Sequence, residues 1–198
     1  MNLWLRLIGV IIAGMFGNAL RVPQDASRLT LRVWPHDLDP FRHMNNGRYL
    51  TIMDLGRTDI MVRSGLLRAA RRHKWTPIAS AVIIRFRREM RLFQKFRLES
   101  RILWWDETRS VIEQVFVLEG GRHDGQVAAH ALFLGGLYDR AIRKFVPIAR
   151  LMEEVGASGE SPPMTPQVAA YLATDAAMKE TLLRRANDGT SAKTPAAS

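Results

Sequence analysis

The segment "DLDPFRHMNNGRYL" (residues 37–50) decides the fold, because within it a polar loop gives way to a helix-forming sequence. Its first half holds two aspartates, a proline and a histidine, and Asp and Pro in particular favour turns. Asn45 and Asn46 follow, and asparagine is a good N-cap for a helix. The segment therefore predicts a loop, a helix start, and a group of polar side chains gathered just before that start.

Apolar side chains recur at helical spacing after the two asparagines. In "NGRYLTIMDLGRTDIMVRSGLL" the residues Tyr49, Ile52, Met53 and Ile60 fall on one stripe, and Gly56 lies on the same stripe. This pattern predicts an amphipathic helix of about five turns. Because Gly56 has no side chain, it would let another element approach the helix closely.

Strand patterns lie on both sides of this helix. Residues 28–35 alternate apolar and charged side chains before it, and four more candidate strands follow it at residues 76–89, 95–105, 110–120 and 126–139. The short connections between the last four predict antiparallel neighbours in chain order. A strand, a long helix and an antiparallel meander indicate an α+β protein with a helix against one face of a sheet.

The two ends of the chain differ from this central part. We predict a hydrophobic N-terminal segment (1–22), a central domain (23–150), a C-terminal helical extension (151–186) and a disordered tail (187–198). The first segment allows three interpretations: a membrane anchor or membrane-associated helix, a helix packed on the domain, or a cleaved signal peptide. Arginines after it favour a cytoplasmic domain, with membrane association through residues 1–20 left open.

Composition excludes several kinds of site. The chain has no cysteine, so disulfides, thiolate nucleophiles and zinc–thiolate sites are excluded. The net charge is +10, and residues 48–101 alone hold fourteen Lys/Arg against four Asp/Glu. Such a basic segment can bind a phosphorylated ligand, anionic lipid or nucleic acid, or it can form a solvated face. Since no nucleic-acid motif accompanies it, we expect no nucleic-acid partner.

The loop and the order of elements resemble hotdog-fold thioesterases of the 4-hydroxybenzoyl-CoA thioesterase-like family, and within it the thioesterase superfamily member 6 subgroup. The family signature is an aspartate, three residues, a histidine, an apolar residue, paired asparagines and a later tyrosine. Asp39, His43, Asn45, Asn46 and Tyr49 match it, and the resemblance covers residues 29–147.

The resemblance implies a fold and an activity. The fold is an antiparallel sheet wrapped around one long helix, here with extra N- and C-terminal helices. The activity is hydrolysis of an acyl-CoA by a homodimer or homotetramer, with no metal and no cofactor besides the coenzyme A of the substrate. This chain departs from the family pattern at Arg42, where many members, though not the member 6 subgroup, have glycine.

The loop offers the groups that thioester hydrolysis needs. Asp39, the position matched to the family, can act as a general base or as a nucleophile. The free N–H groups of a helix start near Asn46 can polarise the carbonyl. His43 can orient Asp39 or bind substrate, so we take these three residues as catalytic candidates. Asn45 and Gly47 are candidates for substrate binding, because they brace the loop and allow close approach to the backbone.

Basic residues near the loop can bind the phosphates of coenzyme A. We expect this role from Arg57, Arg85, Arg87 and Arg88. In the alternative interpretation these arginines only coat an exposed sheet edge. A second hypothesis for the whole protein is a hotdog domain that binds acyl-CoA or lipid at a membrane without turnover.

Overall fold

The structure is a computed structural model that describes residues 3–191. Its helices are α1 (Leu3–Phe16), α2 (Asn46–Arg63), α3 (Leu66–Arg72), α4 (Ile148–Glu153) and α5 (Pro166–Ser191). Its strands are β1 (Ser27–Arg32), β2 (Trp75–Phe86), β3 (Lys95–Trp105), β4 (Ser110–Glu119), β5 (Val127–Asp139) and β6 (Lys144–Phe145). Two compact units share the chain: the first ends at Pro163, and the second, which contains α5, begins at Met164.

All strand pairs of the sheet are antiparallel, in the spatial order β1-β3-β4-β5-β2, and β6 pairs with β5. The prediction that β2 lies beside β3 is wrong, because β2 pairs with β5 along its whole length. The connection between β2 and β3, residues 87–94, is no tight turn. Eight residues reach roughly 26 Å, which exceeds the three strand spacings of about 14 Å that separate the two strands.

Helix α2 lies against the concave face of the sheet, so the predicted α+β fold, a sheet wrapped around one long helix, is confirmed. The predicted stripe is buried: Tyr49, Ile52, Met53, Gly56 and Ile60 all face the core. The helix ends at Arg63, shortly before a glycine, residue 65, in the left-handed region at φ +85°.

The closest approach of α2 to the sheet is at Gly56. A Cβ atom there would stand 2.2 Å from the Ser100 Oγ and 3.0 Å from the Gln114 Nε2. Gln114 is fully buried in β4 and donates from Nε2 to the Met53 carbonyl at 2.8 Å and to the Ser100 Oγ at 2.9 Å. These bonds satisfy polar groups inside the core and fix the position of the helix against β3 and β4.

Helix α1 packs along α2, which corresponds to the second of the three interpretations of the N-terminal segment. Gly14 of α1 faces Val62 of α2, where a Cβ atom would meet the valine Cγ1 at 2.9 Å. After α1 the Leu20 N–H donates to the Arg63 carbonyl at 3.1 Å. Within residues 3–191, no helix combines the length and the apolar character needed to cross a membrane.

The C-terminal part contains the helices α4 and α5. Ile148, Leu151 and Met152 of α4 are buried in a core cluster with Trp75. Helix α5 continues to Ser191. Residues 192–198, which form the rest of the predicted disordered tail, lie outside the described residues.

Candidate active site

The loop before α2 is a small hairpin. Leu38 and Met44 form an isolated antiparallel bridge. Beyond this bridge the Asp39 N–H donates to the His43 carbonyl at 2.9 Å, and the Arg42 N–H donates to the Asp39 carbonyl at 3.0 Å. The hairpin thus turns through residues 40–42 and sets Asp39 and His43 opposite each other.

Arg42 occupies a strained backbone position in this turn. Its φ angle is 67°, in the left-handed region, which is expected for the last residue of a three-residue hairpin loop. Glycine adopts this conformation without steric cost, whereas other residues lose about 1–2 kcal/mol. The left-handed backbone at residue 42 is therefore compatible with the glycine of the family pattern described above. The side chain of Arg42 is exposed.

The carboxylate of Asp39 is held from several directions. Its Oδ1 accepts from the Phe41 N–H at 2.9 Å and from the His43 N–H at 3.4 Å. Its Oδ2 lies 3.2 Å from the His43 Nδ1, and 17% of the Asp39 side chain is exposed. The imidazole of His43 stacks on the ring of Phe41 with the centroids 6.0 Å apart. The predicted pair of Asp39 and His43 is thus brought together in an accessible site.

The start of α2 adjoins this hairpin. Of the two asparagines predicted as N-cap candidates, Asn45 is the N-cap. Its Oδ1 accepts from the Gly47 N–H at 2.8 Å. Its own N–H donates to the Asp37 carbonyl at 2.9 Å, which ties the helix start to the hairpin. Asn46 is the first helical residue and is exposed. Its N–H has no acceptor within the helix and can serve as an oxyanion donor.

The first aspartate of the loop has a structural role. Asp37 is 2% exposed, and its Oδ2 lies 2.6 Å from the Arg6 Nη2 and 2.9 Å from the Trp34 nitrogen. The Nε of Arg48 is 3.5 Å from Asp37 Oδ1. Arg6 was missed by the sequence analysis as a partner of the loop. The signal that could have found it is its position as the one charged residue in an apolar segment.

Tyr49 belongs to the core, as predicted. Its ring lies 4.9 Å from that of Phe86 and 5.0 Å from that of Phe116, both in edge-to-face geometry. Burial raises the pKa of Tyr49 to about 12. Its hydroxyl therefore remains protonated near neutral pH and is not a base for this site.

A basic hollow of about 600 Å³ lies at the same end of the sheet. It is connected to the hairpin through the Met44 N–H, which donates to the Met90 carbonyl at 2.8 Å, and through a bridge between His43 and Arg91. The cationic side chains of the hollow are Arg87, Arg88, Arg91 and Arg122. Arg87 and Arg88 were predicted. Arg91 lies in the same basic stretch of sequence, and Arg122 joins these residues only through folding. Arg85 is exposed on β2 and is not among the residues of the hollow.

Arg57 lies in a different, mostly apolar cavity of about 290 Å³ between α2 and the sheet. Its guanidinium carbon is 3.9 Å from the centroid of the Phe133 ring, and its Nη1 donates to the Gln114 Oε1 at 2.6 Å. Burial lowers the pKa of Arg57, while its ion pair with Asp54 acts in the opposite direction. The structure thus separates Arg57 from Arg87 and Arg88.

Comparison with known proteins agrees with this architecture. The sequence model of a family described as "Thioesterase-like superfamily" matches residues 33–172. Protein THEM6 of Danio rerio is 43% identical over 98 residues, which cover 50% of this chain and 47% of that protein. The chain therefore spans about half the length of such curated relatives. These matches confirm the family expected from the sequence.

Solved structures share the fold at low sequence identity. A probable thioesterase from Escherichia coli, YbaW, has a TM-score of 0.59 at 24% identity, covering 65% of this chain and 94% of its own. A Staphylococcus aureus protein, solved in complex with CoA, has a TM-score of 0.59 at 16% identity, covering 75% of this chain and 92% of its own. Both likenesses support the hotdog fold expected above.

The strained turn yields a prediction about stability. At an unstrained site glycine is less stable than alanine by about 0.5–1 kcal/mol. At Arg42 the order should reverse, with Arg42→Gly about 1 kcal/mol more stable than Arg42→Ala, because only glycine removes the left-handed strain. Urea denaturation of both variants measures the difference.

Arg68, an exposed residue inside helix α3, supplies the matched control for this comparison. At this position the free energy of unfolding of Arg68→Ala should be about 1 kcal/mol higher than that of Arg68→Gly. If alanine were also the more stable replacement at residue 42, the left-handed strain assigned to Arg42 would be refuted.

Proposed function

The chain belongs to the Thioesterase-like superfamily, and we propose that it hydrolyses an acyl-CoA thioester to a free acid and coenzyme A. The observation that carries the proposal is the position of Asp39. Its carboxylate is partly exposed, is oriented by His43, and stands in the hairpin that the backbone joins directly to the N-terminus of α2. A base or nucleophile beside free backbone N–H donors is the minimal equipment for acyl transfer.

In the general-base route Asp39 accepts a proton from a water molecule as the water oxygen attacks the thioester carbonyl carbon. The carbonyl oxygen becomes an oxyanion, which the Asn46 N–H and the positive end of the α2 dipole stabilise. When the tetrahedral intermediate collapses, the C–S bond breaks and the leaving thiolate takes the proton from Asp39. His43 keeps the carboxylate in place through the contact of its Nδ1 with Oδ2.

In the nucleophilic route the carboxylate of Asp39 attacks the carbonyl carbon itself. The C–S bond breaks, the thiolate is protonated by solvent, and the acyl group remains on Asp39 as a mixed anhydride that water then hydrolyses. The two routes differ in the fate of the water oxygen. Only the second places ¹⁸O from labelled water in the Asp39 side chain after a single turnover, since water can attack the aspartyl carbonyl.

Two cavities are suited to the two parts of an acyl-CoA, the phosphates of coenzyme A and the acyl group. The basic hollow is suited to the phosphates of coenzyme A, since guanidinium groups bind phosphate oxygens in paired hydrogen bonds. The Staphylococcus aureus protein of the same fold was solved with CoA. The apolar cavity beside Phe133 and Ile112 is suited to the acyl group, with Arg57 in its wall rather than at the phosphates.

A homodimer formed through β2 is part of this proposal. β2 is an edge strand of twelve residues, and Val82, Ile83 and Phe86 are 38%, 48% and 41% exposed on it. A long edge strand with exposed apolar side chains is usually covered by another chain. Pairing of two β2 strands would also cover the side of the apolar cavity that Pro77 and Ala79 form.

The second candidate function is acyl-CoA binding without turnover. The specific observation in its favour is that Oδ1 of Asp39 already accepts backbone hydrogen bonds and Oδ2 already faces His43. A carboxylate engaged in this way can be a structural element of the hairpin. One measurement, the release of free thiol, distinguishes hydrolysis from binding without turnover.

Replacement of the candidate base tests hydrolysis. Asp39→Asn should lower kcat for acyl-CoA hydrolysis by about 10²–10⁴-fold, because the amide retains the shape but cannot take up the proton. Thiol release from a panel of acyl-CoAs with different chain lengths measures it. Asp25→Asn, at a partly exposed turn aspartate whose Oδ2 accepts from the Arg21 N–H, is the control and should keep normal kcat. Unchanged turnover in Asp39→Asn would exclude the mechanism, and no release by the wild type with any acyl-CoA would favour binding alone.

Replacement of cations in the basic hollow tests the phosphate assignment. Arg87→Gln with Arg88→Gln should raise KM about tenfold or more while kcat changes little, because charge-assisted bonds to the phosphates are lost. The matching acyl-pantetheine, which lacks the nucleotide, should show the same KM in variant and wild type. The control pair is Arg68→Gln with Arg71→Gln on α3. Equal losses for both substrates would show that the arginines act elsewhere.

Replacement on the β2 edge tests the dimer. Ile83→Lys places two like charges near each other across a two-fold axis and should weaken dimerisation about a hundredfold. Analytical ultracentrifugation measures the dissociation constant. Ile142→Lys, at a residue 64% exposed in the turn after β5, is the control. A dimer as stable in Ile83→Lys as in the wild type would move the interface away from β2.

A further inference from the structure

Helix α1 buries its charged residue and exposes its apolar residues, which is the opposite of the usual arrangement in a surface helix. Its buried stripe is Arg6, Val10 and Gly14. Its outward face has only apolar or small side chains, and the large ones are 50–86% exposed: Trp4, Leu5, Ile8, Ile12, Met15 and Phe16. The one charged residue of the helix is therefore inside, while the outer face offers no polar group to water.

The buried arginine fixes this orientation. The Arg6 Nη2 lies 2.6 Å from the Asp37 Oδ2 and donates to the Arg32 carbonyl at 3.3 Å. Rotation of α1 about its axis to hide the apolar face would break this buried ion pair and leave Asp37 without its partner, which is strongly destabilising. The exposure of the apolar face is thus held in place by the fold.

We propose that the outward face of α1 binds the surface of an anionic lipid bilayer, with the helix lying in the interface. A helix with a broad apolar face beside cationic groups inserts this face to a depth of about 5–10 Å among the headgroups. A helix of 14 residues is suited to this geometry. Such docking extends beyond the proposed hydrolysis, because it requires no turnover.

Cations lie close to both ends of α1. The hydrogen bond from Arg6 places the end of β1, Arg32, beside the N-terminal half of α1. Arg28, at the other end of this edge strand, lines a hollow with Ala19 and Leu20 just after the helix. Arg21 and Arg28 have side chains that are 86% and 67% exposed, with Asp25 and Glu99 as their ion-pair partners at 3.6 Å and 3.8 Å. Exposed basic residues near an anionic surface add to the attraction.

The dimensions of the face favour lipid over a second copy of this chain. The strip measures roughly 21 Å by 10 Å. A stable protein interface buries about 800 Å² on each partner and has a polar rim with hydrogen bonds. The outward face of α1 is far smaller than such an interface, whereas a helix that lies in the plane of a bilayer interface can insert on its own.

Docking of α1 would also determine where the candidate active site lies relative to the bilayer. Asp37 is part of the hairpin that contains Asp39, and Arg6 joins that hairpin directly to α1. The ion pair therefore holds the hairpin on the inner side of α1, one helix diameter (~10 Å) from the bilayer surface, when α1 is docked. Amphiphilic acyl-CoA molecules partition into such a surface, so the site would meet its substrate there.

Vesicle flotation of the full chain tests the lipid surface. The wild type should float with vesicles of phosphatidylcholine and phosphatidylserine, more weakly with phosphatidylcholine alone, and less at high salt. Ile8→Glu with Ile12→Glu should lower the partition coefficient at least tenfold, because two apolar anchors become charged. Leu182→Glu with Leu183→Glu, at residues 64% and 66% exposed on α5, is the matched control and should bind as the wild type does.

The outcomes are distinct from those of the hydrolysis test. Thiol release in vesicle-free buffer by Ile8→Glu with Ile12→Glu should stay within about twofold of the wild type, since neither residue touches the hairpin. Absence of flotation by the wild type, or equal flotation of wild type and Ile8→Glu with Ile12→Glu, would overturn the proposal. An oligomer that this double variant dissociates, without any flotation, would assign the face to a second copy.

Discussion

The contact between α2 and the sheet at Gly56 is the constraint on which the other features depend. The space beside this residue is filled by Ser100 and Gln114, so no side chain fits between helix and strands. Gln114 then bonds the helix backbone at Met53, and Arg57, one residue after the glycine, bonds Gln114. The depth of α2 in the sheet is thereby set. That depth determines where the first turn of the helix stands and where the apolar cavity opens.

Local patterns in the sequence were sufficient for most elements of the fold. Alternation of side chains gave β3 and β4 to within one residue, and the paired asparagines located the start of α2. The position of β2 was missed, because strand order depends on pairing between distant residues, and a connection of eight residues permits either neighbour. The Arg6–Asp37 pair joins residues 31 apart in the chain, and no spacing rule connects them. The arginines of the basic hollow were found in part, since Arg122 comes from another turn of the sheet.

Two aspartates in one loop have opposite environments. Asp37 is buried and neutralised by Arg6, whereas Asp39, two residues later, keeps part of its surface in solvent. Asp37 ends a short 3-10 helix, Pro35–Asp37, and the chain changes direction there, so one carboxylate can hold the hairpin while the other stays accessible. The motif could be recognised from sequence, but this division of roles requires the position of α1. Arg42 fits the same hairpin, since the turn demands a left-handed residue and not a particular side chain.

The Arg6–Asp37 pair also determines what a shortened chain would be. The N-terminal segment invites removal before purification, because it is apolar and precedes the strands. A chain that begins at Pro23 would leave Asp37 buried without its nearest cation, at the base of the hairpin. Such a shortened protein would expose the flank of α2, and the hairpin would rearrange around the carboxylate that has lost its nearest cation. Loss of activity after that truncation would then report on the geometry of the loop as much as on membrane attachment.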